Sequence, residues 1–241
     1  MTTPTTPTTP APPQAAAAPM SWDGYVAGWS STHDGFDPRH AGPLLRRWLR
    51  IAFTAGGVLA RFGLRPSYPM LVAAACAPLV PLLAARGGAW PALAALVLLA
   101  GVAADTVAQT LAVLLRRSTR LGGFYRAMLD RMSEMCWLAA LAALGAQQTV
   151  VLLCGALVWL HEYVRARAGA VGLRAAGSAT IGDHATRIWL ALLSLMLAAV
   201  TGTQIGADLA AGVVTMMLVL WITLAVLGLG QLLGIVRKVL A

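Results

Sequence analysis

The chain has 241 residues, of which 59% are hydrophobic and 11% charged, with a mean hydropathy of +0.73. Soluble domains average about 25% charged residues, so an ordinary soluble protein is excluded and a polytopic membrane protein is indicated. The 18 Lys+Arg against 9 Asp+Glu give a net charge of +9. These basic residues lie between long apolar runs and do not interleave with polar ones, which argues against a nucleic-acid partner.

Residues 1–21 are low in complexity, with TTP repeated up to Pro10 and then Pro12, Pro13 and an Ala run. This composition predicts a disordered tail. It has no basic stretch followed by an apolar one, so no cleavable signal peptide is expected. Residues 22–65 read as a cytoplasmic juxtamembrane segment. Trp22, Tyr25, Trp29 and Trp48 suit a membrane interface. Arg46, Arg47 and Arg50 alternate with Leu44, Leu45, Leu49, Ile51 and Phe53, which fits an amphipathic helix on the bilayer surface. A short soluble helix packed on the membrane domain fits the same pattern.

Residues 66–241 form the membrane domain. A span needs about 20 mostly apolar residues. Six runs qualify, at about 67–85, 90–113, 127–146, 149–166, 186–203 and 207–236. The expected fold is therefore all-α with six transmembrane helices. Arg116, Arg117, Arg120, Arg126, Arg165, Arg167, Arg174, Arg187, Arg237 and Lys238 fall on one side, and the opposite loops hold Arg86 alone. The bias of basic residues puts both termini in the cytoplasm, in a plasma-membrane protein. Gly230 and Gly234 make a G-x-x-x-G in the last span, a spacing that permits close helix packing. Cys76, Cys136 and Cys154 lie in apolar runs with no metal-ligand spacing and read as packing residues.

Ionisable residues at membrane depth are costly and mark functional sites by default. Asp105, Asp130, Glu134 and Glu162 gather near the cytoplasmic ends of the second, third and fourth spans, with Asp183 in the next cytoplasmic loop. Carboxylates beside many Arg suit an anionic, phosphorylated substrate: carboxylates hold hard cations and Arg grips phosphate. A structural reading stands beside this one. Arg126 and Asp130 are four apart on a helix and could pair, and Glu134 could satisfy Arg131.

The stretch 105–130, DTVAQTLAVLLRRSTRLGGFYRAMLD, resembles the signature of the CDP-alcohol phosphotransferases, D-x-x-D-G-x-x-A-R-x8-G-x-x-x-D-x-x-x-D. Asp105, Ala112, Gly122 and Asp130 match it. GLRPSYPML at 63–71, DRMSE at 130–134 and HEYVRARAGAVGL at 161–173 are similar to flanking parts of the family. Four fixed positions differ: Ala108 and Arg126 stand for acids, Gln109 for the Gly and Val113 for the Arg.

The resemblance implies a transferase of phospholipid biosynthesis. In such enzymes four acids hold two divalent metals, Mg²⁺ or Mn²⁺, on the diphosphate of a CDP-linked lipid. A small alcohol or polyol phosphate attacks and CMP leaves. Carried over, Asp105 and Asp130 are metal ligands, Asp130 is also the general base, and Ala112 and Gly122 lie at the nucleotide. Arg165, Arg167 and Arg187 would meet the acceptor phosphate. Two outcomes fit the substitutions. In one, Arg126 replaces a metal as phosphate clamp, helped by Glu134 or Glu162. In the other the site is silent, an Arg126–Asp130 pair closes it, and the chain acts as a membrane partner or scaffold. An unrelated small transporter is a further alternative, without a discontinuous-helix pattern to support it. Membrane lipids are the expected surroundings, and a homodimer is compatible with the fold.

Overall fold

The computed structural model describes residues 20–33, 35–173 and 181–240. The low-complexity stretch up to residue 19, Asp34 and Arg174 lie outside them. Among the described residues there are eight α-helices, one 3₁₀ turn and no strand. The helices are α1 (Trp22–Thr32), α2 (Pro43–Arg61), α3 (Ser67–Ala84), α4 (Trp90–Leu114), α5 (Arg120–Ala143), α6 (Gln148–Ala170), α7 (His184–Gln204) and α8 (Ala207–Leu240), with the 3₁₀ turn at Pro38–His40.

Local chemistry sets the helix starts. The side chains of Ser21, Thr119 and Asp183 accept the backbone N–H of Gly24, Gly122 and Thr186, at 3.2, 3.0 and 2.9 Å. Each supplies an orphan donor of the first turn with a partner. Pro43 opens α2, where its missing N–H costs nothing.

Five helices, α3, α4, α6, α7 and α8, are long and apolar enough to cross a membrane. The chain is thus an all-helical, multi-pass membrane protein. The expectation of six spans is met for five of them. The run expected at 127–146 is a helix, but α5 carries Arg126, Asp130, Arg131 and Glu134 along its length and falls short on apolarity.

α3 packs along both α4 and α5, α4 also holds α2 and α7, and α8 closes the far side against α6 and α7. The main core gathers Val80, Leu98, Trp137, Leu141, Leu195, Leu218 and Trp221. A second core joins α1 and α2 to the end of α4, through Tyr25, Val26, Trp29, Leu49 and Val113. Glycine makes that seam close: a Cβ on Gly28 would stand 2.7 Å from Val113, and one on Gly56 2.7 Å from Thr110. The Tyr25 hydroxyl lies 3.1 Å from that of Thr110, and burial pushes its pKa up to about 12, so it stays a neutral hydrogen-bonding group.

Another close contact involves α8. Leu224, Gly228 and Gln231 lie on one face, spaced four and three apart, and residues 181–182 run across them. A Cβ on Gly228 would stand 1.7 Å from the Ile181 carbonyl oxygen. The Ile181 N–H donates to Gln231 Oε1 at 2.9 Å. A Cβ on Gly230 or Gly234 would meet nothing within 4 Å, so the G-x-x-x-G makes no close helix contact among the described residues.

Candidate functional site

α1, α2, α3, α4, α5 and α7 enclose a cavity of about 600 Å³. Its walls are apolar: Leu44 and Leu45 from α2, Ala77 and Val80 from α3, Leu98 and Val102 from α4, Ile188 and Leu192 from α7. Its polar residues are few. Asp105 and Gln109 come from α4, Arg126, Asp130 and Ser133 from α5, His184 from α7 and His33 from the end of α1; Arg47 of α2 also lines it. A pocket of this size, apolar with a few convergent polar groups, is what a small-molecule or lipid site requires.

Asp105 and Asp130 therefore line one cavity, although 25 residues separate them in the chain. They have different partners. Asp105 accepts the side-chain N–H of Gln109 and lies 3.6 Å from the Arg126 guanidinium. Arg126 thus reaches across to α4, and the Arg126–Asp130 pair considered from the sequence is not formed. The Asp130 carboxylate has no hydrogen bond among the described residues. Its ion-pair neighbour there is His184, whose Nε2 lies 3.8 Å away.

His33 completes the Asp105 group. The Gln109 amide N–H faces Asp105, so its carbonyl faces His33 Nε2, 2.5 Å away. Arg126 Nη1 lies 3.3 Å from the same nitrogen, and the ring stacks on Trp29 at 4.0 Å. Burial, and then the Arg126 charge, hold the His33 pKa below its ordinary value. Both effects disfavour a second ring proton.

Behind the cavity lies a buried charge network. Glu134, 1% exposed, accepts from Arg131 at 3.0 Å, from Arg187 at 3.1 Å and from His184 Nδ1 at 2.9 Å. Arg187, also 1% exposed, donates through Nε to the Gly182 carbonyl and through Nη2 to His161 Nδ1, both at 2.9 Å. Its Nη2 is 3.0 Å from Glu162, and Arg131 is 3.7 Å from the same carboxylate. Two Glu and two Arg balance, as buried charges must.

Several expected site residues consequently lie elsewhere. Glu134 and Glu162 neutralise Arg131 and Arg187 and do not line the cavity with Asp105. Arg187, which the resemblance put at the acceptor phosphate, is enclosed by its own partners and does not line the cavity. Arg165 is half-buried on α6. Arg167 borders a smaller pocket of about 300 Å³ with Tyr163, Val171 and Val236. Gly122 is exposed in the first turn of α5, its N–H bonded to Thr119, and neither it nor Ala112 lines the cavity.

The two-metal arrangement does not fit these residues. Among those described, no three His, Cys, Asp or Glu side chains are grouped to hold a metal. A guanidinium occupies the position beside Asp105 where a cation would have to bind, and two cations that close repel strongly. Sequence reasoning missed His33, which reaches Gln109 across 76 residues. The one local sign was an aromatic four residues earlier, Trp29, on the same helix face.

Comparison with protein-family models gives no match, and comparison with curated proteins gives none either.

Proposed function

We propose that this chain is a divergent membrane protein of the CDP-alcohol phosphotransferase type that holds a lipid in its cavity. The observation carrying this reading is the cavity itself: apolar walls between helices, with Asp105, Arg126 and Asp130 grouped among its few polar residues. The signature-like stretch 105–130 supplies all three.

In this reading α5 is the sixth span. Its 24 residues are about 36 Å long, enough for a bilayer core. Leu121, Tyr125, Met128, Met132 and Met135 form its exposed face, suited to lipid, while the charges turn inward. Six spans and the basic loops put both termini in the cytoplasm of a plasma-membrane protein. On this reading α2 lies at the bilayer surface, its exposed Val58 suited to acyl chains and its exposed Arg46 to head groups.

The transfer chemistry would use this chain's own groups. Arg126 meets the negative charge of a CDP-linked lipid's diphosphate. Asp130, the carboxylate without a hydrogen bond, takes the proton of an acceptor hydroxyl. The hydroxyl oxygen bonds to the phosphorus bearing the lipid, and CMP leaves with the broken P–O bond's electron pair. A second reading, a silent relative that only holds lipid, is favoured by the Arg126–Asp105 pair.

The test is thermal stability of the purified protein with CDP-diacylglycerol, CDP or CMP, with and without Mn²⁺, beside an assay of CMP release. A ligand that binds the folded state at 100 times its Kd stabilises it by about 2.7 kcal/mol. CDP-diacylglycerol should raise Tm without Mn²⁺, and Arg126→Gln should lose the shift. CMP release abolished by Asp130→Asn supports transfer, and a shift with no CMP release supports the silent relative. No shift with any of the three ligands refutes the nucleotide-lipid reading.

A further inference from the structure

We infer that the lipid held in the cavity has a head group with an ammonium beside a phosphodiester, that is, an aminophospholipid. The inference rests on the second reading above, a relative that holds a lipid without transferring it, and names its ligand class.

It begins with the carboxylates. Asp105 has Gln109 and Arg126, Glu134 has Arg131, Arg187 and His184, and Glu162 has Arg187 and Arg131. Among the described residues, Asp130 is the cavity carboxylate with no hydrogen bond, its side chain 18% exposed. Its ion-pair neighbour there, His184 Nε2 at 3.8 Å, is outside hydrogen-bond reach. An ionised carboxylate facing apolar walls is costly until a donor, best a positively charged one, meets it. A divalent metal is a poor candidate, because Asp130 is the one carboxylate left to bind it and Arg126 stands at the other. An ammonium needs only one carboxylate.

The surroundings suit such a group. Trp137 and Trp189 line the same cavity, and the Trp137 ring lies 5.8 Å from that of His184, the residue beside Asp130. Aromatic faces attract ammonium groups. The phosphate has its own donors: Arg126 Nε is buried without a hydrogen bond, and Arg47, also lining the cavity, is exposed and makes no ion pair among the described residues. Counted together, Asp105 and Asp130 cancel Arg126 and Arg47. A zwitterion leaves that balance intact. The volume of about 600 Å³ takes a head group and the first part of the chains, the remainder lying in the bilayer.

The experiment is native mass spectrometry of the delipidated full-length protein with equal amounts of phosphatidylethanolamine and phosphatidylglycerol of matched chains. The ethanolamine lipid should be retained about tenfold over the glycerol lipid, the scale of one charge-assisted hydrogen bond. Asp130→Asn should bring the ratio close to one, and Arg126→Gln should weaken both lipids. Equal retention, or preference for the glycerol lipid by the wild-type protein, overturns the head-group inference and leaves the lipid cavity standing. A preference that survives Asp130→Asn also overturns it. Retention of neither lipid refutes the cavity reading, and the inference with it.

Discussion

Replacing Gly228 with alanine isolates one contact on which the buried charge network depends. The added Cβ would stand 1.7 Å from the Ile181 carbonyl oxygen, where 3.4 Å is an ordinary contact. That oxygen belongs to backbone, so no side-chain rotation relieves it, and residues 181–182 must lift from α8. Lifting breaks the bond from Ile181 N–H to Gln231 and strains the one from Arg187 Nε to the Gly182 carbonyl, both 2.9 Å. A neutral hydrogen bond contributes about 1 kcal/mol and one to a charged group about 2, so the loss is at most about 3 kcal/mol, offset by about 0.5–1 kcal/mol for Gly→Ala within a helix. For a chain of this size a net loss of about 2 kcal/mol lowers Tm by about 4–8 °C. Gly230→Ala is the control. Its Cβ meets nothing within 4 Å, and Gly→Ala within a helix stabilises by about 0.5–1 kcal/mol. The two substitutions, two residues apart, should shift Tm in opposite directions in detergent-purified protein. Equal shifts, or a stabilised Gly228→Ala, would refute the close-approach argument.

Arg187→Met should cost about 3–5 kcal/mol, because it leaves buried Glu134 and part-buried Glu162 short of a counter-charge; a Tm within about 2 °C of wild type would contradict that. Tyr25→Phe should cost about 1–2 kcal/mol by leaving the fully buried Thr110 hydroxyl without its inter-helix partner. Urea or thermal unfolding of the pair Tyr25→Phe and Thr110→Val, which should be less than additive, checks it. The third concerns pH. His33 has a folded pKa below its ordinary 6.5, so the unfolded chain binds the proton more readily. The stability it contributes is complete above 6.5 and declines as pH falls below that value. Between about pH 7.5 and pH 5.5, Tm should fall further in wild type than in His33→Gln. An identical decline in both would show that His33 is not the titrating group.

The apolar runs were legible because composition alone determines them. The runs expected at 67–85 and 90–113 are the helices Ser67–Ala84 and Trp90–Leu114. α5 was harder. It begins at Arg120, seven residues before the expected run, because Thr119 caps it and its charges face partners instead of water. Arg187 looked like one more basic residue near a loop, since nothing local marks that Glu134 lies against it, 53 residues earlier. The grouping of Asp105 with Asp130 was readable from their membrane level. The direction in which Arg126 turns was not, because i,i+4 spacing offered Asp130 while packing placed Asp105 within 3.6 Å.

The separation between Glu134 and Arg187 also constrains how the protein is made. On the proposed reading of α5 as a span, its later partner has not been synthesised when the helix leaves the translocation machinery. Glu134 has only Arg131, three residues away on the same helix and 2.6 Å from it, to offset its charge. That pair lowers the penalty of entering lipid, and Arg126 finds Asp105 on the earlier α4, but Asp130 meets its neighbour His184 only when α7 is made. α5 is therefore a poor candidate for independent release into the bilayer. On that reading it reaches its final depth together with α7, when Arg187 arrives. The later helix acts as an internal chaperone for the earlier one, and a chain truncated before residue 187 should be retained at the insertion site and degraded.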